Sequence, residues 1–404
     1  MSRAFILLTF LFFGKSAFAQ KAEQLQLQVD VVYLASNLLE GRETGKRGET
    51  LAAQYIASRF EEMGLEGGGE DGSFFHYFDF KYKPNPHSEE GAEPRKGKNV
   101  IGYLDNKAPN TVIVGAHYDH LGYGGFGSRH TGEPAIHNGA DDNASGVAAM
   151  LRLAEQLKDG KANKNNYLFI GFSGEELGLF GSKNFVKNPT INLQSVNYMM
   201  NMDMIGRLNE EKVLAVNGVG TSPAWAVLDD IKIDMKLVTS ESGIGPSDHT
   251  SFYLEDIAVL HFFTGQHEDY HKPEDDSELL NYKGIAEISD FILEIIHQLD
   301  DDGKIEFTKT KDSSDRKAAA FKVTLGVMPD YVYQGKGMRI DGVMDGRPAQ
   351  KAGMQKGDII IKMGDLTVKD IYDYMEGLAK FNEGETGRVA FKRKDKIMVK
   401  NVTF

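Results

Sequence analysis

Residues 137–146 read His137-Asn-Gly-Ala-Asp141-Asp142-Asn143-Ala-Ser145-Gly146 and open directly into the stretch 147–157. There Val147, Met150, Leu151, Ala154 and Leu157 recur at helical spacing, so a helix is expected from Asn143 and the polar run lies at a loop-to-helix junction. Acidic side chains among Gly and Ala make poor core material. They suit a cation, because Asp supplies hard oxygen donors and small neighbours let backbone and ligand approach closely. The plainer reading is that Asp141, Asp142 or Asn143 caps the helix. What the rest of the chain brings to the same place separates the two.

Upstream, residues 99–104 and 111–116 read as strands, the second ending in His117-Tyr-Asp119-His120. Helix-like spacing at 29–39 and 49–63 precedes them, followed by a Gly-, Pro- and aromatic-rich stretch, 66–98, expected to hold an edge strand and a loop. The Gly-rich segment 121–136 contains Tyr123-Gly-Gly-Phe-Gly-Ser but lacks the Gly-Lys-Ser/Thr ending of a phosphate loop, which argues against nucleotide binding there.

Downstream, the strand-like run 167–172 ends in Ser173-Gly174-Glu175-Glu176, with a helix expected over 177–187. A further strand at 195–201 leads to Met202-Asp203-Met204, with others expected at 213–217, 237–239 and 257–263. The last runs into Thr264-Gly-Gln-His267-Glu-Asp-Tyr270-His271, and Ile285 to Ile296 mark a long amphipathic helix. Strands alternating with helices predict an α/β domain with a mostly parallel sheet flanked by helices. In such sheets, sites form outside the carboxyl ends of the strands. His117, Glu175/Glu176, Asp203 and His271 are all expected there, beside the Asp141-Asp142 junction.

The chain is too long, at 404 residues, for one compact core, and two or three domains are expected. Arg3, the apolar run 4–13 and Ala17-Phe18-Ala19 have the form of a signal peptide over residues 1–19, implying export to the periplasm or beyond and no membrane association after cleavage. There is no cysteine, so any metal must be held by His, Asp and Glu. From Arg316 onward 17 Lys and Arg stand against 11 Asp and Glu, so this part carries +6 and the preceding part −19 of the total −13. An acidic body disfavours nucleic acid as a partner.

Residues 20–300 form the expected main domain and 301–317, charged and poor in apolar residues, a linker. Residues 318–404 are the size of a small second domain, with short strands around a helix at 370–380 and turn signals at Gly353 and Gly357.

Two His and several carboxylates at strand ends suit a divalent metal, most naturally zinc. In Glu175-Glu176 adjacent side chains point different ways, so one carboxylate is able to ligate metal while the other exchanges protons with a water and a leaving group. The His117-x-Asp119 spacing fits a ligand imidazole oriented by a carboxylate.

The motifs His117-Tyr-Asp119-His, Asn138-Gly-Ala-Asp-Asp142-Asn-Ala-Ser-Gly, Phe172-Ser-Gly-Glu175-Glu176-Leu-Gly, Asn201-Met-Asp203, Ser247-Asp248-His249 and Tyr270-His271 follow in the order of the dizinc exopeptidases. Over about residues 25–300 the chain resembles bacterial leucyl aminopeptidases and, more distantly, the glutamate carboxypeptidase and glutaminyl cyclase branches. The resemblance implies a mixed, mostly parallel sheet and two Zn2+ ions. Asp142, four residues before Gly146, would bridge them; His117 and Asp203 would complete one site, Glu176 and His271 the other. Glu175 would be the general base and Asp119 would orient His117. His249 would support the site, Tyr270 would offer a hydrogen bond, and His120, His130, His137 and His267 receive no role. The substrates implied are peptides with a free N-terminus. The alternatives on the same scaffold are dipeptidase, carboxypeptidase or glutaminyl cyclase chemistry, or a non-catalytic binding protein, which would be expected to have lost ligands. The tail resembles a mainly-β PDZ domain through Gly342-Val-Met-Asp-Gly-Arg-Pro-Ala and Ala352-Gly-Met-Gln-Lys-Gly-Asp-Ile-Ile, which implies binding of peptide or protein C-termini. Its carboxylate-binding loop reads Thr324-Leu325-Gly326-Val327 rather than the usual Gly-Leu-Gly-Phe.

Overall fold

The structure, a computed structural model, describes residues 25–84, 90–125, 127–310, 323–330, 333, 335–343 and 346–404. The expected signal peptide lies outside them. Among the described residues no helix is long and apolar enough to cross a membrane.

The four central strands are β4 (Asn110–His117), β5 (Asn165–Phe172), β6 (Val196–Met202) and β9 (Ala258–Phe263), and almost every residue in them is buried. Such runs belong to strands covered on both faces, and these lie side by side in the order β5-β4-β6-β9, all parallel. Their side chains alternate between two cores, as the two-residue period of a strand requires. Val112, Val114, Tyr167 and Phe169 face one core; Ile113, Leu168, Ile170 and Phe172 face the other.

The first core is closed by α1 (described over 25–34), α2 (Arg47–Glu62), α3 (Gly146–Asp159) and α6 (Tyr282–Leu299). In α6, Ile285, Ile288, Ile292, Ile295 and Ile296 are fully buried, which is the face the sequence periodicity marks. The second core is closed by α4 (Phe180–Lys187) and α5 (His249–Tyr253) through Phe185 and Phe252.

The flanks of the sheet turn antiparallel. β3 (Glu93–Leu104) pairs β5, and β2 (Phe75–Tyr82) and the short β1 (Glu66–Gly67) pair β3; on the far side β7 (Val213–Asn217) runs against β9 and beside β8 (Lys236–Ser240). The fold class is the expected mixed, mostly parallel α/β sheet.

Two expectations are corrected. The helix after the Asp-Asp loop starts at Gly146, not Asn143, because residues 140–145 form a wider turn with non-helical angles at Asp142 (φ −106°, ψ 87°) and Asn143 (φ −136°, ψ 44°). The segment 301–310 is no free linker. Ile305 is buried in the first core, Asn197 bonds both the Gly303 carbonyl (2.7 Å) and the Ile305 N–H (2.8 Å), and Thr310 Oγ1 meets Tyr253 Oη at 2.8 Å. Burial of Ile305 and these hydrogen bonds together hold the charged stretch down.

Residues 323–404 have a separate core. An antiparallel sheet runs β10 (Val327–Pro329), β11 (Met338–Val343), β12 (Ile359–Met363), β14 (Thr386–Arg393) and β15 (Lys396–Thr403), with β13 (Leu366–Thr367) on β12. The short α7 (Pro348–Lys351) contributes Ala349 to this core, and α8 (Ile371–Ala379) contributes Tyr374 and Leu378.

Candidate metal centre

Three neighbours in the opening loop divide the work. Asn143 Oδ1 accepts from Gly146 N (3.0 Å) and Met204 N (3.1 Å), fixing the start of α3 to the end of β6. Asp141 Oδ1 accepts from Gly206 N (2.6 Å) and Ser145 Oγ (3.0 Å). Asp142 is thereby left to point at the strand ends. Asp275 holds the loop from behind, its Oδ2 accepting the N–H of both Asp141 (2.9 Å) and Asp142 (3.1 Å).

At the end of β4, His117 Nε2 lies 3.2 Å from Asp142 Oδ1 and 3.3 Å from Asp203 Oδ1. On the other oxygen of Asp142, His271 Nε2 lies 3.1 Å away and also 3.2 Å from Glu176 Oε2. His120 Nδ1 approaches Glu176 Oε1 at 2.7 Å and Asp142 Oδ2 at 3.9 Å. The groups able to hold a metal ion are therefore His117–Asp142–Asp203 and His120–Asp142–Glu176, with His271 against the second. Asp142 belongs to both.

His271 is not at a strand end. β9 stops at Phe263, and His271 sits eight residues later with φ 57°. The Gly-rich segment holds it there: His271 Nδ1 lies 2.9 Å from the Gly127 carbonyl, and Arg129 N bonds the His271 carbonyl at 2.9 Å. A carbonyl on Nδ1 turns Nε2 toward the carboxylates. Tyr270 stacks on the His271 ring at 3.8 Å.

The Asp119 carboxylate is not the nearest partner of His117. The His117 Nδ1 atom is nearer the Asp119 carbonyl (3.2 Å) than its carboxylate (3.7 Å). The carboxylate instead accepts from the Glu175 N–H (3.1 Å) and Thr44 Oγ1 (3.0 Å). Ser173 Oγ extends this network from Thr44 (3.3 Å) to the buried Glu49 (3.0 Å), which pairs with Lys98 at 2.6 Å.

Burial disfavours every charge here, and the neighbours decide the outcome. Burial pulls the His117 and His271 imidazoles toward neutrality, yet Asp203 and Glu175 beside the first and Glu176 and Asp142 beside the second hold them well above the usual range. Burial would raise Asp142, but hydrogen bonds from His117 and His271 keep it well below the ordinary value. Glu176, also opposed by burial, is drawn down to about 2 by His271. Glu175 goes the other way, pushed up by burial and by Asp203, Glu176 and Asp248 against the pull of His117. The carboxylates Asp142, Glu175, Glu176 and Asp203 outnumber the imidazoles His117, His120 and His271, and His120 Nε2 has no hydrogen-bond partner. Imidazole nitrogens and carboxylate oxygens converging on two points are a donor set that fits divalent metal.

One further cation touches the site without entering it. Arg42, 1% exposed, donates from Nε to the Tyr118 carbonyl (2.7 Å) and from its terminal nitrogens to the carbonyls of Leu34 (2.5 Å), Asn138 (2.6 Å) and Gly139 (2.9 Å). It thus ties the end of α1 to the loops that follow His117 and precede Asp142. Burial lowers its pKa to about 10, with Asp142, Asp119, Asp275 and Glu176 supporting the charge. Gly41 before it has φ 69°, and a Cβ there would stand 2.5 Å from the Gly122 carbonyl oxygen.

Sequence reasoning missed Arg42, His120 and Asp275. The His117-x-x-His120 spacing was the available signal for one; the other two act through loops far away in the chain. His267 Nε2 lies 3.3 Å from Asp141, while His249 is buried and stacked on His261 at 4.4 Å. His137 bonds Ser128 Oγ (2.7 Å) and His130 the Glu133 carbonyl (3.1 Å), both within the Gly-rich segment.

Residues 99–296 match the profile of Peptidase family M28, and residues 305–403 that of the PDZ domain. Aminopeptidase YwaD of Bacillus subtilis is 28% identical over 221 residues, covering 50% of this chain and 44% of that protein. The alkaline phosphatase isozyme conversion protein of Escherichia coli is 29% identical over 186 residues, 46% of this chain and 52% of that protein. The chain thus spans about half the length of these curated relatives. Among solved structures, the zinc aminopeptidase BSAP from Bacillus subtilis superposes with a TM-score of 0.55 at 18% identity, covering 70% of this chain and 95% of that one. Glutaminyl cyclase from Porphyromonas gingivalis superposes with a TM-score of 0.54 at 13% identity, covering 68% and 98%. These structural likenesses concern the fold.

Proposed function

From a chain that carries a Peptidase family M28 domain followed by a PDZ domain, we propose an exported zinc aminopeptidase that hydrolyses the first residue from peptides with a free N-terminus. The observation that carries this reading is Asp142, shared between two convergent donor groups, with Glu175 lining the same cavity.

His117, Asp142 and Asp203 would hold one zinc ion, and Asp142, Glu176 and His271 a second. Bound zinc supplies charge that polarises a scissile carbonyl, eases deprotonation of a water and balances the oxyanion. The His120 hydrogen bond to Glu176 Oε1 leaves Oε2 facing His271, and the Gly127 carbonyl fixes the His271 ring.

Glu175 does the proton work. Its carboxylate takes a proton from the attacking water and passes one to the leaving amine. Asp119 steadies it by accepting its N–H. The second domain would bind peptide or protein C-termini at Thr324-Leu325-Gly326-Val327, where Gly326 has φ 69°. Export rests on the leader motif of residues 1–19.

The test is Glu175→Gln assayed on a panel of aminoacyl amides, blocked peptides and peptides beginning with Gln. The wild type is expected to cleave only substrates with a free amine. The variant is expected to keep its zinc and lose turnover by roughly 10³-fold, in keeping with loss of a general base. Undiminished turnover would remove Glu175 from the mechanism, and cyclisation of the Gln peptides without hydrolysis would replace the aminopeptidase reading.

A further inference from the structure

Two cavities meet at Glu176. The smaller, about 90 Å³, contains His117, Asp142, Asp203 and His271 and is also walled by Phe263 and Pro246. The larger, about 470 Å³, has His120 and Glu176 in its wall and extends away from the other ligands.

The larger cavity is built from the segments that carry the site. Leu177 follows Glu176 directly, Phe180 opens α4 three residues later, and Leu121 follows His120. Its remaining wall includes Tyr82, at the end of the edge strand β2. The aromatic members are held firmly. Phe180 packs on Phe80 at 5.3 Å, and Phe80 on Phe78 at 5.9 Å. The Arg95 guanidinium lies 3.3 Å from the centre of the Tyr82 ring, with its charge met by Glu43 (2.5 Å) and Glu93 (2.7 Å). The charged lining residues Glu43, Lys81 and Lys83 include both signs, so they do not single out one charged ligand. What remains is a preformed apolar surface next to a metal ligand, the usual make-up of a side-chain subsite.

We propose that this cavity receives the residue on the far side of the scissile bond and selects peptides whose second residue has a large apolar side chain. The inference rests on the peptidase reading above. An exopeptidase needs a small space for the terminal residue and a larger one for the rest of the chain, and the two cavities differ in volume in that sense. Because Leu177 adjoins Glu176 in sequence, the subsite is in fixed register with the reacting carbonyl. The Phe78–Phe80–Phe180 ladder means that little ordering is needed when substrate arrives.

The experiment uses the full chain loaded with zinc and substrates sharing the first residue best turned over in the panel. The second residue is varied through Gly, Asp, Leu and Phe, and the corresponding aminoacyl amide has none. Leu and Phe are expected to exceed Gly and Asp in kcat/KM by about ten-fold or more, the discrimination expected of an apolar pocket. Phe180→Ala and, as an independent check on folding, Tyr82→Ala are each expected to bring the Leu-to-Gly ratio toward one. A flat series with the amide cleaved, or a ratio that neither variant moves, would overturn the subsite alone. A chain that cleaves nothing, the amide included, would overturn the peptidase reading and this inference with it.

Discussion

Asp142 and Asp358 are both almost completely buried, at 3% and 1% exposure, and their surroundings differ in a telling way. Asp358, in the second domain, is fully paired: Arg393 Nε and Nη2 reach its two oxygens at 2.7 Å each, and Gln355 N adds a third bond at 2.9 Å. Asp142 faces imidazoles at 3.1 and 3.2 Å, and those rings are shared with Asp203 and Glu176. The first arrangement is complete with protein groups alone and builds structure. The second gathers more acid than the protein neutralises, and that surplus is what a metal site requires.

The contrast is breakable. Asp142→Ala should remove a ligand from both donor groups, lowering zinc content and reducing kcat/KM by roughly 10³-fold or more if the metals carry the reaction. An Asp142→Ala chain that keeps its metal and its turnover would make the two aspartates equivalent after all.

A smaller effect is expected of Arg42→Lys. A lysine keeps the charge but not the fork that reaches four carbonyls, so the ligand loops should lose register. Zinc affinity or kcat/KM is expected to fall by about 10- to 100-fold, the range seen for groups that orient metal ligands. Zinc titration followed by separate determination of kcat and KM checks this, and an unchanged affinity and rate would reduce Arg42 to a scaffold role.

The smallest effect on catalysis belongs to Asp358→Ala. It should unfold the second domain at a lower temperature, by differential scanning calorimetry, and leave hydrolysis of aminoacyl amides unchanged. A drop in amide turnover would show that the two regions are not independent in function.

The central strands were legible because parallel strands covered on both faces are written as apolar runs, and the first polar residue after such a run marks the strand's carboxyl end. His117, Glu175, Glu176 and Asp203 could be gathered for that reason. Asp142 required a choice between neighbours, of which Asp141 is the one engaged by Gly206 and Ser145.

Other features depend on loops crossing in space. His271 is placed by a carbonyl from a segment 144 residues earlier in the chain, and Arg42 joins carbonyls up to 97 residues away. No local periodicity encodes such contacts. The start of α3 was misplaced by three residues because Asn143 does the capping through its side chain while its backbone remains outside the helix.

On the proposed reading, Asp142 joins two metal sites in one centre. Its most direct test is zinc stoichiometry, measured by titrating zinc into the chelator-stripped chain and confirming the bound metal by elemental analysis. Two tightly bound zinc ions per chain are expected. A chain that saturates at one, or binds none, would contradict it.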